Sequence, residues 1–194
     1  MNTYLQSLCI AVMAMGLCAV PADGGILLDA STNNGSFEDG SGGTKSGWGN
    51  WRMPNSTPTD ASPPGASLGS HYLNAQTTPS SDGRWDSRMY RKLTGLSPAD
   101  GSEFTVALDV AVPATNALDQ LIVWFTFFDS NNNHVGVDTP INTTALDTDW
   151  TRFTHTYETA QTGWSRLDVR VGFRENSAVS GTTYHAFIDN VVVQ

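Results

Sequence analysis

Cysteine is almost missing from this chain of 194 residues. The two cysteines, Cys9 and Cys18, both lie in the first 22 residues, which are apolar and unlike the rest. A mature chain that starts at Asp23 would therefore contain no disulfide bond. We expect its stability to come from a large apolar core, with a bound calcium ion as the other common source in an extracellular protein.

Basic residues are also scarce, because ten Lys and Arg residues stand against nineteen Asp and Glu residues and the net charge is -9. This balance gives no electrostatic support for a nucleic-acid or anionic-membrane partner. An uncharged or weakly charged ligand fits the net charge better, and strongly anionic polysaccharides fit it worst.

No apolar run is long enough to cross a bilayer comfortably, since the stretch from Leu8 to Val20 is too short. Small residues surround Pro21 just before Asp23, which is typical of a signal-peptidase site. We predict a signal peptide over residues 1–22 and a single domain over residues 23–194, exported to the periplasm or the extracellular space.

Helical periodicity is nearly absent, and about nine runs of strand-forming residues are separated by turn signals. Residues Glu103 to Val112 and Arg166 to Arg174 alternate cleanly between apolar and polar side chains, and Leu121 to Phe128 is almost wholly apolar. We predict an all-β antiparallel β-sandwich. Residues 39–70 are loop-like, but Trp48 and Trp51 predict that part of this loop folds back on the body.

The apolar stretch from Leu121 to Phe128 is predicted to be a central strand. Since side chains alternate along a strand, one set points to the core: Leu121, Val123, Phe125 and Phe127. The opposite set contains Trp124 and Thr126.

Polar side chains on the two alternating strands could share a surface with that opposite set. They are Asp109 on one strand and Asp168 and Arg170 on the other. Carboxylates, guanidinium groups and an indole on one sheet face can bind a sugar, through hydrogen bonds to its hydroxyls and stacking against its C–H face. The alternative is a solvated face with incidental salt bridges, in which Trp124 packs under a loop.

Catalytic motifs are hard to find. Asp109 and Asp168 could be a glycosidase pair, but no apolar context predicts that either carboxyl is held protonated. There is no serine elbow and no pair of histidines at metal-ligand spacing. We therefore expect no catalytic residues.

Several motifs resemble, in order, those of carbohydrate-binding modules with a galactose-binding-like jelly roll. They are Asn34-Gly35-Ser36-Phe37-Glu38, Gly47-Trp48, Gly69-Ser70-His71-Tyr72-Leu73, Asp149-Trp150-Thr151-Arg152-Phe153 and Phe187-Ile188-Asp189-Asn190-Val191. The nearest group would be the modules that bind cellulose, xylan or β-glucan.

The resemblance implies a ligand on a concave sheet face or at the loop rim, and a structural calcium ion near the joined first and last strands. Its calcium ligands would be Glu38 and Asp189, with a loop carbonyl near Gly35 or Gly47. Arg88 and Tyr90, on the strand before, would join the sugar-binding face.

We therefore expect a secreted, non-catalytic module that binds a polysaccharide or oligosaccharide, with no nucleic-acid partner and no membrane insertion. A structural or adhesive β-sandwich of the cell surface or matrix is the alternative. A small polysaccharide lyase or glycosidase is a third reading.

Overall fold

Two five-stranded antiparallel sheets form the body of the protein. A computed structural model of the chain describes residues 26–29, 31, 33–38, 47–53, 57–59, 65–96 and 101–194. The strands are β1 (Trp48–Trp51), β2 (Thr57–Thr59), β3 (Tyr72–Thr77), β4 (Gly83–Thr94), β5 (Glu103–Ala111), β6 (Gln120–Phe128), β7 (His134–Thr143), β8 (Thr151–Glu158), β9 (Arg166–Ala178) and β10 (Tyr184–Val193). The predicted signal peptide, with both cysteines, lies outside the described residues.

The sheet with the order β1-β4-β9-β6-β7 is called the front sheet here, and the sheet with the order β2-β3-β10-β5-β8 is called the back sheet. Apolar side chains of both sheets meet between them. The four predicted core residues of β6 are fully buried, as are Leu167, Val169, Val171 and Phe173 of β9. The predicted all-β sandwich is confirmed, because the alternation of each long strand places its apolar side chains in one shared core.

Two of the ten strands were not predicted from the sequence. Both additional strands lie in the region predicted as loop, namely β1 and β2. Strand β1 pairs with β4, and its first residue, Trp48, is buried with only 6% of its surface exposed. The expectation that part of this loop folds back on the body is therefore correct. No helix occurs among the described residues, and none of them forms a segment that could cross a membrane as a helix.

The beginning and the end of the described chain are joined, as the motif at each end predicts. Leu28 pairs with Val193, and the Val191 amide donates to the Gly35 carbonyl at 2.8 Å. A β-bulge between Asp189 and Val192 accompanies this contact, with Asn190 in the left-handed region at a φ of 48°. Gly35 must be a glycine here, because a Cβ at this position would collide with backbone of Asp29 and Val191.

The two alternating strands belong to different sheets, which corrects one expectation. Strand β5, with Asp109, is in the back sheet, whereas β9, with Asp168 and Arg170, is the middle strand of the front sheet. Both strands direct their apolar side chains into the same core, so their polar side chains point to opposite sides of the sandwich. Asp109 therefore does not share a face with Trp124 and cannot form a catalytic pair with Asp168.

Candidate functional site

A row of three large side chains crosses the outer face of the front sheet. The strand register places Tyr90 of β4 opposite Arg170 of β9, and Arg170 opposite Trp124 of β6. Side chains opposite each other in adjacent antiparallel strands are neighbours on one face. An aromatic ring, a guanidinium group and a second aromatic ring therefore follow one another across the sheet.

Glycines beside this row make room for its two rings. A Cβ at Gly49 of β1 would collide with the Tyr90 ring, and one at Gly172 of β9 would collide with the Trp124 ring. Each ring thus covers a glycine of a neighbouring strand and lies against the sheet. Tyr90 and Trp124 are both half-buried, so each keeps part of its surface open to solvent.

An open cleft of about 310 Å³ lies beside this row. Seven side chains from β1, β4 and β9 line it: Asn50, Trp51, Arg88, Tyr90, Lys92, Asp168 and Arg170. The volume is at the lower end of the range of about 300 to 1,000 Å³ that is usual for ligand sites. The cleft combines two aromatic rings with hydrogen-bonding groups of both signs.

Trp51 forms one wall of the cleft and is 39% exposed. The Arg88 guanidinium carbon lies 4.7 Å from the centre of its ring, and that of Arg52 lies 4.2 Å from it. Cation–π contacts of this kind fix the position of a guanidinium group without neutralising its charge. Burial lowers the pKa of the Arg88 guanidinium, and the positive charge of Arg170 lowers it further.

Asp168 forms the floor of the same region. Its carboxylate lies 3.0 Å from Arg166 Nε and 3.6 Å from Arg170 Nη2, and its side chain is 5% exposed. Beside it on β6, Thr126 is 2% exposed. Within the described part of the chain, Thr126 Oγ1 and Arg170 Nε are buried and have no hydrogen-bond partner. Asp168 and Thr126 therefore support the site from below and present little surface to a ligand.

Six of the seven side chains predicted for a ligand site share the outer face of the front sheet: Arg88, Tyr90, Trp124, Thr126, Asp168 and Arg170. Asp109 lies on the back sheet, for the reason given above. The sequence did not predict Trp51, Asn50 or Lys92 as part of the site. Strand β1 has the sequence Trp-Gly-Asn-Trp, in which glycine and asparagine are poor strand formers, so only its tryptophans gave a signal.

Asp109, on the back sheet, forms hydrogen bonds with other residues of the protein. It is opposite Asp189 in the pairing of β5 with β10. Ser67 Oγ lies 2.7 Å from an Asp109 oxygen and 3.1 Å from an Asp189 oxygen, so the two carboxylates share its one hydroxyl proton. Arg152 Nη1 donates to Asp109 at 3.0 Å. These contacts attach residues 65–71 to the outer side of the back sheet, where Trp150 Nε1 also donates to the Gly65 carbonyl at 2.8 Å.

The predicted calcium ligands already accept hydrogen bonds. Asp189 is fully buried, and it accepts from the amides of Ser67, Leu68 and Asn190. Even with these donors, burial raises the pKa of the Asp189 carboxyl to about 6. Glu38 accepts from the Ser70 amide at 2.6 Å and contacts His71 Nδ1 at 2.9 Å.

The third predicted ligand, the Gly35 carbonyl, accepts from the Val191 amide. Calcium needs six to eight oxygen ligands that point at one centre, and in this structure the three predicted ligands each accept N–H hydrogen bonds. The described residues contain no group of three or more His, Cys, Asp or Glu side chains that could hold a metal ion. Calcium therefore stays a prediction that rests on the resemblance alone.

Comparison with solved structures confirms the fold of carbohydrate-binding modules. The chain is similar to the CBM22-1 xylan-binding domain of Xyn10C from Paenibacillus barcinonensis, with 20% identity and a TM-score of 0.57 over 88% of this chain and 94% of that domain. It is also similar to the CBM22-1 and GH10 modules of xylanase 10B from Clostridium thermocellum, complexed with xylohexaose. There the identity is 14% and the TM-score 0.57, over 87% of this chain and 28% of the other.

The same sandwich occurs within larger proteins of other kinds. The enzymatically active domain of tailspike protein 4 from bacteriophage CBA120 matches with 14% identity and a TM-score of 0.58, over 84% of this chain and 21% of that protein. No family model and no curated protein matches the chain. At these identities the similarity defines the fold, and the function has to be argued from the site.

Proposed function

We propose that this protein is a non-catalytic glycan-binding module, exported from the cell, that holds a polysaccharide against the outer face of its front sheet. The observation that carries the proposal is the row of Tyr90, Arg170 and Trp124 beside the open cleft lined by Trp51. Pyranose rings have apolar C–H faces that stack on aromatic rings, and hydroxyls that hydrogen-bond to guanidinium groups. The xylan-binding domain of the same fold, and the xylohexaose complex of a xylanase that contains such a module, support a xylan-type glycan.

Affinity electrophoresis tests this proposal, with native gels that contain xylan, β-glucan, mannan or a uronic acid polysaccharide. We expect at least one of them to retard the chain. Tyr90→Ala should weaken that binding about tenfold, because it removes one stacking ring from the row. His155→Ala is the matched control, since His155 is an exposed ring of the back sheet and should leave retardation unchanged.

Each gel is run with calcium and again with EDTA, so that binding that needs the predicted calcium ion is detected. If no polysaccharide retards the chain in either condition, the proposal is wrong. Release of reducing ends or unsaturated products by the purified protein would contradict its non-catalytic part. Loss of stability without loss of binding in Trp124→Ala would favour a structural or adhesive role for that ring.

A further inference from the structure

The cations of this acidic protein are concentrated on the outer face of the front sheet. The chain contains only ten Lys and Arg residues. Six of them lie on the outward-facing positions of β4 and β9: Arg84, Arg88, Lys92, Arg166, Arg170 and Arg174. The same positions of these two strands carry two acids, Asp86 and Asp168. The local charge of the face is therefore positive although the net charge of the chain is -9.

Ion pairs within the protein neutralise part of the charge on this face, around Asp86 and around Asp168. Asp86 accepts from Arg174 Nε at 2.6 Å and lies 3.1 Å from Arg84 Nη2. Burial alone would raise the pKa of Asp86, but the hydrogen bonds from these two arginines bring it below its ordinary value. Asp168 is shared by Arg166 and Arg170 in the same way.

Arg88 and Lys92 are different, because neither makes an ion pair with any residue in the described part of the chain. Arg88 is held over the Trp51 ring, and Lys92 Nζ lies 5.9 Å from the centre of the Tyr90 ring. Both side chains line the cleft, together with Arg170. The cleft thus contains three cations and one buried acid, and two of the cations form no ion pair with the described residues.

From this distribution we infer that the cleft binds an anionic sugar, with Arg88 and Lys92 pairing with its carboxylate or sulfate group. This inference rests on the proposed glycan-binding function and specifies the class of glycan. A guanidinium group beside a stacking ring suits an acidic sugar, because the ring takes the C–H face while the fork of N–H donors takes the anion. The net charge of the sequence argued against such ligands, but the charge that a bound glycan meets is local.

Matched pairs of polymers test the inference. The first pair is a xylan substituted with glucuronic acid and the same polymer after reduction of its carboxyl groups to alcohols. The second pair is a sulfated galactan and its desulfated form, which separates sulfate from carboxylate as the recognised group. We expect one acidic polymer to bind about tenfold more tightly than its neutral form at low salt. The difference should shrink as added salt screens the charges.

Arg88→Gln and Lys92→Gln should each weaken binding of the acidic polymer several-fold and leave binding of the neutral form nearly unchanged. Arg84→Gln is the matched control. Its side chain lies on the same face, is 60% exposed and is outside the cleft, so it should change either affinity by less than about twofold. Circular dichroism checks that each variant is folded.

Equal binding of the acidic and neutral forms in both pairs would overturn the inference and leave the proposed function standing. Equal loss of both forms in Arg88→Gln would also overturn it, because Arg88 would then serve the neutral sugar. Failure of every polymer to bind would instead remove the proposed function itself.

Discussion

Single side chains in this molecule have their roles set by what lies opposite them across a strand or under a loop. Asp109 and Asp168 look alike in the sequence, since each is a polar residue in a cleanly alternating strand. The first accepts hydrogen bonds from Ser67 and Arg152 on the back sheet, and the second lies between two arginines of the front sheet. Only the second is part of the candidate site.

Glu175 gives a prediction at the scale of one residue. It is 4% exposed, and burial, followed by the nearby Asp119 carboxylate, raises its pKa. The folded chain therefore holds this proton more tightly than the unfolded chain, so its contribution to stability is complete at low pH and is lost as pH rises through the folded pKa. Glu175→Gln removes the charge, keeps an oxygen for the Ser177 amide, and supplies an N–H group toward Asp119.

We expect Glu175→Gln to be more stable than the unmodified protein at pH 7 and about equal to it at pH 4. Urea unfolding of both proteins at the two pH values measures this difference. A stability difference that is the same at pH 4 and pH 7 would show that Glu175 is not the titrating group.

At the scale of the strands, the alternation of apolar and polar residues predicted well which side chains face the core. It predicted poorly which strands are neighbours in a sheet. The alternation of β6 correctly assigned its four core side chains, Leu121, Val123, Phe125 and Phe127, because burial depends on the strand's own period of two. Alternation could not assign Asp109 to the back sheet, because pairing between strands distant in sequence leaves no local signal. Strand β1 was missed since Gly49 and Asn50 interrupt its pattern, and Trp51 was missed with it.

The contact between β6 and β9 at Trp124 gives a prediction at this scale. Gly172→Ala would bring its Cβ against the Trp124 ring and within 2.9 Å of the Ser87 carbonyl oxygen. We expect the free energy of unfolding to fall by about 1 to 3 kcal/mol, as is usual for overpacking. Glycan binding should weaken as well, because the ring is displaced from the row that it forms with Arg170 and Tyr90.

A double-mutant cycle with Trp124→Ala separates the collision with the Trp124 ring from the collision with the Ser87 carbonyl oxygen. If the ring is the main obstacle, Gly172→Ala should cost much less stability in a chain that already carries Trp124→Ala. Additive costs in urea unfolding would mean that the Ser87 carbonyl alone is responsible and that Trp124 does not lie over Gly172.

At the scale of the whole molecule, the outer sides of the two sheets differ. The back sheet is covered in part by residues 65–71, which Asp109, Asp189 and Glu38 attach through hydrogen bonds. The front sheet carries its aromatic and cationic side chains beside a cleft that is open among the described residues. The motifs that carried the family resemblance predicted the fold correctly. They also predicted a calcium ion, and two of its proposed ligands, Glu38 and Asp189, form this attachment.

The central claim is that a glycan binds to the outer face of the front sheet. Its most direct test is a titration of the isotope-labelled protein with a glucuronic-acid-substituted xylo-oligosaccharide, followed by NMR of the backbone amides. We predict that the shifted amides cluster on β1, β4, β9 and β6, around Gly49, Tyr90, Arg170 and Trp124. Shifts confined to the back sheet or to residues 65–71 would contradict the claim, as would the absence of shifts with this oligosaccharide and with fragments of every polysaccharide in the gel panel.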